Sequence, residues 1–143
     1  MNSVEWTNYR EAAPENRLIE MKRGILGFEN LKRFVFLPQD ETVPFWQLRS
    51  IETGTVFVVI NPFLIKPDYA PIIPGRDVRL LEIRKPSDVI LMSIITVRRE
   101  PLKATANLRA PIVINAKLRF AAQVVLEDEE YPLRYPLNTE RAL

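Results

Sequence analysis

Apolar residues along this chain fall into short alternating or continuous runs, and few stretches repeat with the 3.6-residue period of a helix. The runs Leu18–Lys22, Arg33–Leu37, Phe45–Ile51, Val56–Ile60, Val89–Arg98, Ala110–Asn115 and Lys117–Leu126 are rich in β-branched and aromatic residues. Turn residues at Asp40–Pro44, Thr53–Gly54 and Asn61–Pro62 punctuate them, which predicts strands. In the last run Leu118, Phe120, Ala122, Val124 and Leu126 share one face, with Lys117, Arg119 and Gln123 on the other. By contrast Val56–Ile60 is apolar throughout, the pattern of a strand covered on both sides. A small sheet holding both kinds of strand curls into a barrel or sandwich. The helical signal is weak: Asp77 is placed to cap a short helix through Ile83, with Val78, Leu80 and Leu81 facing inward, and Phe28–Lys32 allows a single turn. The expected fold is all-β, mainly antiparallel, a small barrel-like single domain over 1–143 with one short helix.

Two connections stand out. Asn61–Gly75 carries prolines at 62, 67, 71 and 74, which remove backbone donors and rule out a central strand. It reads as an ordered, extended surface loop, and its apolar residues Phe63, Leu64, Ile65, Tyr69, Ile72 and Ile73 either fold back on the core or meet a partner. Gly24–Glu29 lacks the spacing of a phosphate-binding loop. Gly24 and Gly27 there permit a tight turn with positive φ, while Ile25, Leu26 and Phe28 point inward.

Composition narrows the chemistry by exclusion. The 143 residues include no cysteine and no histidine, so disulfides, thiolate nucleophiles, Cys/His zinc sites and imidazole proton shuttles are excluded. An enzyme built from carboxylates, Lys, Tyr and Ser/Thr alone is not the expectation, and no cofactor is expected. The longest apolar run, Val89–Val97, is too short to span a bilayer and is broken by Ser93 and Thr96. The opening MNSVEWTNYREAAPENR has no basic region leading into an apolar one, so the expected compartment is the cytoplasm. The net charge is +2, yet basic residues are dispersed; Arg76, Arg79, Arg84 with Lys85, and Arg98–Arg99 come nearest to a cluster.

The densest charge feature is acidic: Glu127, Asp128, Glu129 and Glu130. Three readings stand: a solvated strand end, a docking site for a basic protein surface, and a metal or general-acid site. Strand geometry sends alternate side chains to opposite faces, and no calcium-loop spacing is present, which disfavours the last. After it, YPLRYPL (Tyr131–Leu137) repeats an aromatic-Pro-Leu unit, either as interface anchors or as an arm pinned over the body. Phe45, Trp46 and Phe57 suggest an RNA-stacking platform, but no basic stripe accompanies them and core packing is favoured.

Several segments in order resemble the FliW family of flagellar assembly factors: GILGFENLKRFVFLP (Gly24–Pro38), PFWQLRSIE (Pro44–Glu52), FVVINPFLIKPDY (Phe57–Tyr69), PSDVILMSIITV (Pro86–Val97), TANLRAPIVIN (Thr105–Asn115) and QVVLEDEEYPLRYPL (Gln123–Leu137). The resemblance implies a small β-barrel-like fold without enzymatic activity. It also implies binding of flagellin and of the translational repressor CsrA, with partner switching that relieves repression of flagellin synthesis. Residues 1–23 are atypical of the family, with Lys22 where a proline commonly precedes the Gly-Ile turn, and 138–143 form a C-terminal tail. Many members are strongly acidic whereas this chain is basic, so any acidic docking charge here is local.

The expected contact surface is therefore Glu127, Asp128, Glu129, Glu130 and Tyr131, with Asn107 and Arg109 as neighbours. Phe63, Leu64 and Ile65 form a second surface, suited to an amphipathic flagellin segment. The free protein is expected to be a monomer that contacts neither nucleic acid nor membrane. The alternative is a β-domain that binds RNA directly on transcripts.

Overall fold

The structure, a computed structural model, describes residues 18–38, 44–99 and 102–137. The tail 138–143, most of the atypical N-terminal segment and most of the Asp40–Pro44 break lie outside the described residues. The strands are β1 (Leu18–Arg23), β2 (Arg33–Pro38), β3 (Phe45–Ser50), β4 (Val56–Ile60), β5 (Val89–Arg99), β6 (Leu102–Ala106), β7 (Ile112–Asn115), β8 (Phe120–Gln123) and β9 (Tyr135–Pro136); the helix α1 is Gly75–Leu80. Short 3-10 turns occupy Pro62–Leu64 and Pro86–Asp88. Among the described residues no helix is long and apolar enough to cross a membrane.

The strand order β4-β3-β2-β1-β8-β7-β5 closes on itself through β4–β5 pairing at Val59↔Ile94 and Ile60↔Ser93. This makes a seven-stranded barrel of antiparallel pairs, with β1–β8 parallel. β5 outruns the barrel: Val89–Met92 pairs with β7 and Ile95–Arg99 with β6, whose outer edge takes β9. The Asn107 amide still reaches the Ile94 carbonyl (3.0 Å), so β6 and β7 follow one edge of β5 in succession. The extra residues bulge out at 107–111.

Alternation along each strand divides the core. One side chain set from all seven barrel strands fills the interior, including Ile19, Phe34, Phe36, Trp46, Leu48, Val59, Met92, Ile112 and Ala121. Phe36 stacks on Trp46 with centroids 4.5 Å apart. A second cluster lies outside, where Val89 and Leu91 of β5, Val113 of β7, and Ala122, Val124 and Leu126 from β8 onward meet Tyr69, Leu81 and Leu108. A third, with Phe45, Ile60, Ile95, Ala106 and Leu137, seats the β5–β6 extension.

Several expectations change. Val56 is exposed, so double coverage of β4 is confined to Val59 and Ile60, while β5, β7 and β8 are buried on both faces. The strand expected over Lys117–Leu126 shortens to Phe120–Gln123 because 116–119 form a turn with Arg119 at φ 63. Leu118 thereby becomes exposed, whereas Phe120, Ala122, Val124 and Leu126 do share a face. Gln123 is buried, its amide linking the Leu26 N–H (2.9 Å) to the Ala110 carbonyl (3.1 Å). Only Gly27 of the two turn glycines has positive φ; Gly24 is required instead by close approach, since a Cβ there would lie 2.7 Å from the Glu29 Cα. Leu26 and Phe28 face outward, with Phe28 edge-on to Phe57 at 5.0 Å. Phe45 and Trp46 are buried, so the aromatic pair is core and not a stacking platform.

Asp77 is not a cap: Pro74 holds that position, and Asp77 lies fully buried in the first turn, bonded to Arg23 of β1. The helix ends at Leu81 with a hydrogen bond from the Ile83 N–H to the Val78 carbonyl (3.0 Å) and from Glu82 to Arg79 (3.1 Å). That closure places Glu82 at φ 54, a position usually held by glycine. Buried Asn115 supports the turn by donating to the carbonyls of Leu81 (2.8 Å) and Glu82 (3.2 Å) and accepting from the amides of Lys117 and Leu118. Because a left-handed L-residue costs roughly 1–2 kcal/mol and glycine adds unfolded-state entropy, Glu82→Gly is expected to stabilise the protein by about 0.5–1 kcal/mol in chemical denaturation.

Candidate functional site

The proline-rich loop and the acidic stretch, far apart in sequence, lie side by side on the outer face of β5, β7 and β8. The loop begins with Asn61, whose Oδ1 accepts from the Phe63 amide (2.9 Å), and Pro62 at the first position of a 3-10 turn. Both residue types favour that start, so the expected extended loop opens with a helical turn. Phe63 and Ile65 are half-buried against the outer core; Leu64 is 58% exposed at the crest. Tyr69 plunges back to 3% exposure and its hydroxyl donates to the Leu108 carbonyl at 2.6 Å. Ile72 then stands 86% exposed. Phe63, Ile65 and Tyr69 thus fold back on the core, while Leu64 and Ile72 stand exposed.

The acidic stretch is fixed from beneath by the bulge at 107–111. Asn107 Oδ1 accepts from the amides of Arg109 (3.1 Å) and Ala110 (2.9 Å), shaping the turn that aims Arg109 outward. The Arg109 guanidinium donates through Nε to the Tyr131 carbonyl (2.9 Å) and through Nη2 to the Glu129 carbonyl (2.8 Å). Leu126 and Leu108 add backbone bonds to the Arg109 and Pro132 carbonyls. Arg109 therefore holds backbone, leaving the carboxylates free. Asp128 accepts from the Glu130 amide (2.9 Å) and shapes the turn. Glu127, Glu129 and Glu130 are exposed, and among the described residues their carboxylates take part in no hydrogen bond or ion pair; the bonds of Glu129 and Glu130 are made by their backbone. No group of three or more acids among the described residues is arranged to hold a metal ion.

Tyr131 joins the two elements. Its ring meets Tyr69 edge-on at 4.8 Å and its hydroxyl accepts from the Ala70 amide (3.1 Å). Phe63 extends the aromatic row, 5.7 Å from Tyr69. Beyond Tyr131 the arm is pinned by β9 and by the Leu137 amide on the Ala104 carbonyl (2.9 Å), with Leu133 left exposed. A cleft of 580 Å³ separates Ile72, Pro74 and Arg76 from Leu126, Glu127 and Asp128. At the other end Lys66 and Asp68, paired at 3.0 Å and each stabilising the other's charge, flank Glu130 and Tyr135.

All ten residues expected from the sequence thus lie on one side of the molecule, but Asn107 contributes through its turn and Phe63 and Ile65 are partly covered. Of the loop residues open to either role, Tyr69 folds back and Ile72 stands exposed, and Ala70 enters through its amide bond to Tyr131. Tyr69 offered a signal in retrospect, an aromatic between two prolines that has to be anchored. Ile72 offered none beyond its apolarity.

Burial, and secondarily the neighbouring Tyr131, pushes the Tyr69 hydroxyl well above its ordinary range. The unfolded phenol ionises near pH 10 while the folded one stays protonated, so this contribution is full below about pH 10 and is lost as pH rises through the folded value. Stability measured between pH 8 and pH 11 is expected to fall, and Tyr69→Phe to flatten part of that slope while lowering stability at pH 8 by about 1–2 kcal/mol. Arg109→Leu is expected to accelerate amide exchange at Glu130 and Tyr131 and to cost about 1–2 kcal/mol, since two charge-assisted bonds are lost at a half-exposed site.

Comparison with known proteins agrees with this geometry. Residues 7–137 match the family described as FliW protein, a span that takes in most of the atypical N-terminal segment. A flagellar assembly factor FliW from Syntrophus aciditrophicus (strain SB) is 49% identical over 128 residues, covering 89% of this chain and 81% of the relative. That of Caldicellulosiruptor saccharolyticus is 43% identical over 124 residues, covering 86% and 81%. A crystal structure of the flagellar assembly factor FliW superposes with a TM-score of 0.79 at 34% identity, covering 91% of each chain. With its seven-stranded barrel and this match over nearly its whole length, the chain belongs to the FliW family of flagellar assembly factors.

Proposed function

We propose that this chain is a cytoplasmic, non-enzymatic adaptor that binds flagellin and the translational repressor CsrA. When flagellin is scarce, the free adaptor binds CsrA and relieves repression of flagellin synthesis; accumulating flagellin captures the adaptor and releases CsrA. The observation that carries the reading is the acidic stretch: Glu127, Glu129 and Glu130 are exposed, unpaired among the described residues, and mounted on a backbone fixed by Arg109 and Tyr131. Charges presented on a fixed backbone lose little entropy on docking and steer a basic partner toward one face. The chain's net charge of +2 makes that local concentration the relevant electrostatic feature.

The second surface is apolar. Leu64 and Ile72 project from a loop whose remaining apolar residues are anchored, a form suited to the apolar face of an amphipathic flagellin segment. The absence of His and Cys, with no convergent acid group among the described residues, supports a binding role without a cofactor.

Calorimetric titrations with flagellin and with CsrA, each at two salt concentrations, test the reading. Binding of both is expected, with flagellin displacing CsrA and with CsrA binding weakened by salt. Glu129→Lys with Glu130→Lys is expected to weaken CsrA binding about tenfold or more while leaving the melting temperature unchanged, because both side chains are solvated. Unchanged CsrA affinity in that variant would remove the acidic stretch from the interface.

A further inference from the structure

We infer that the cavity between the proline-rich loop and the α1–β5 connection is a docking groove for an apolar peptide segment that carries carboxylates. The cavity measures 420 Å³, the size of sites that bury a small ligand or two or three large side chains. Phe63, Ile73 and Val78 form its walls and remain half-exposed, while Leu91 of β5 lies at its floor. Arg84 and Lys85 stand at its edge. Both are exposed, and neither forms an ion pair among the described residues. Among the described residues no acidic side chain lines the cavity.

The backbone that carries the two cations is tied down on both sides. Arg84 follows Ile83, which is tied to the Val78 carbonyl at the end of α1. Lys85 precedes the 3-10 turn at Pro86, and its carbonyl accepts from the Asp88 amide (3.0 Å). Arg79 is also exposed, on the preceding helix α1. An apolar slot rimmed by unpaired cations selects an apolar segment flanked by Glu, Asp or a terminal carboxylate. The acidic stretch selects the opposite charge, so the two sites take different segments. The inference rests on the protein-binding reading above and adds to it a further site with its own selectivity.

The test uses the full chain labelled with 15N and two synthetic helical peptides. Both carry Leu at helical spacing; one carries Glu at the remaining positions and the other Lys. The Glu peptide is expected to shift the amide resonances of Ile73, Val78, Arg84, Lys85 and Leu91, and Arg84→Glu with Lys85→Glu to weaken it about tenfold or more. Glu129→Lys with Glu130→Lys is expected to leave that binding unchanged, which separates failure of the groove from failure of the acidic face. Equal groove shifts with the Lys peptide, shifts centred elsewhere, or concentration-dependent self-association that shifts the same resonances would overturn the assignment.

Discussion

Strands β5, β7 and β8 bury apolar side chains on both faces, and that double burial governs everything built outside the barrel. The inward residues are enclosed by closure of the sheet; the outward ones, Val89, Leu91, Val113, Val124 and Leu126, require a separate cover. Burying such side chains stabilises by roughly 1.5–3 kcal/mol each, so five of them represent on the order of 10 kcal/mol, comparable with the whole stability of a domain. The proline-rich loop, α1 and the segment after β8 supply that cover. They are structural elements first, and the candidate binding residues stand on their outer side. This explains why a surface without regular strand structure is tied down by Tyr69, Arg109 and Tyr131.

The buried Asp77 shows how firmly the cover is attached. A carboxylate without access to water is strongly unfavourable unless paired, and its partner, Arg23, belongs to β1 in the barrel wall. Displacing α1 would strand that charge. Asn115 fixes the other end of the helix by satisfying two carbonyls that have no partner within it. These two polar contacts, together with the packing of Leu80 and Leu81 on the outer core, seat α1 so that Val78 and Ile83 line the 420 Å³ cavity.

Much of the barrel was legible because strand burial leaves a period-two signature in the sequence. The predicted runs containing β1 to β5, β7 and β8 each correspond to a strand, and the outward alternation of Phe120, Ala122, Val124 and Leu126 is present as read. β6 escaped notice because Leu102–Ala106 buries small alanines, and β9 because it contains a proline and pairs over two residues. The errors at Leu26, Phe28 and Leu118 share a cause: apolarity within a turn does not say which way the side chain points. In the candidate site, charge and proline content marked the two segments, but their adjacency depends on Tyr69 meeting Tyr131 across 62 residues of chain order. Local pattern carries no information about such a pairing. Nor did it show that Arg109 would bind carbonyls instead of the neighbouring carboxylates.

Ala70 lines both the apolar cavity under the proline-rich loop and the cleft bordered by Glu127 and Asp128, and its amide is the one bonded to Tyr131. The two concavities therefore share one lining residue. A guest that shifts Ala70 reshapes the other concavity as well, and thermodynamic reciprocity makes the effect equal in both directions. Its sign depends on whether the guest draws Ala70 toward itself or pushes it away. Two molecules that never touch can in this way antagonise or assist one another through a single residue of the loop.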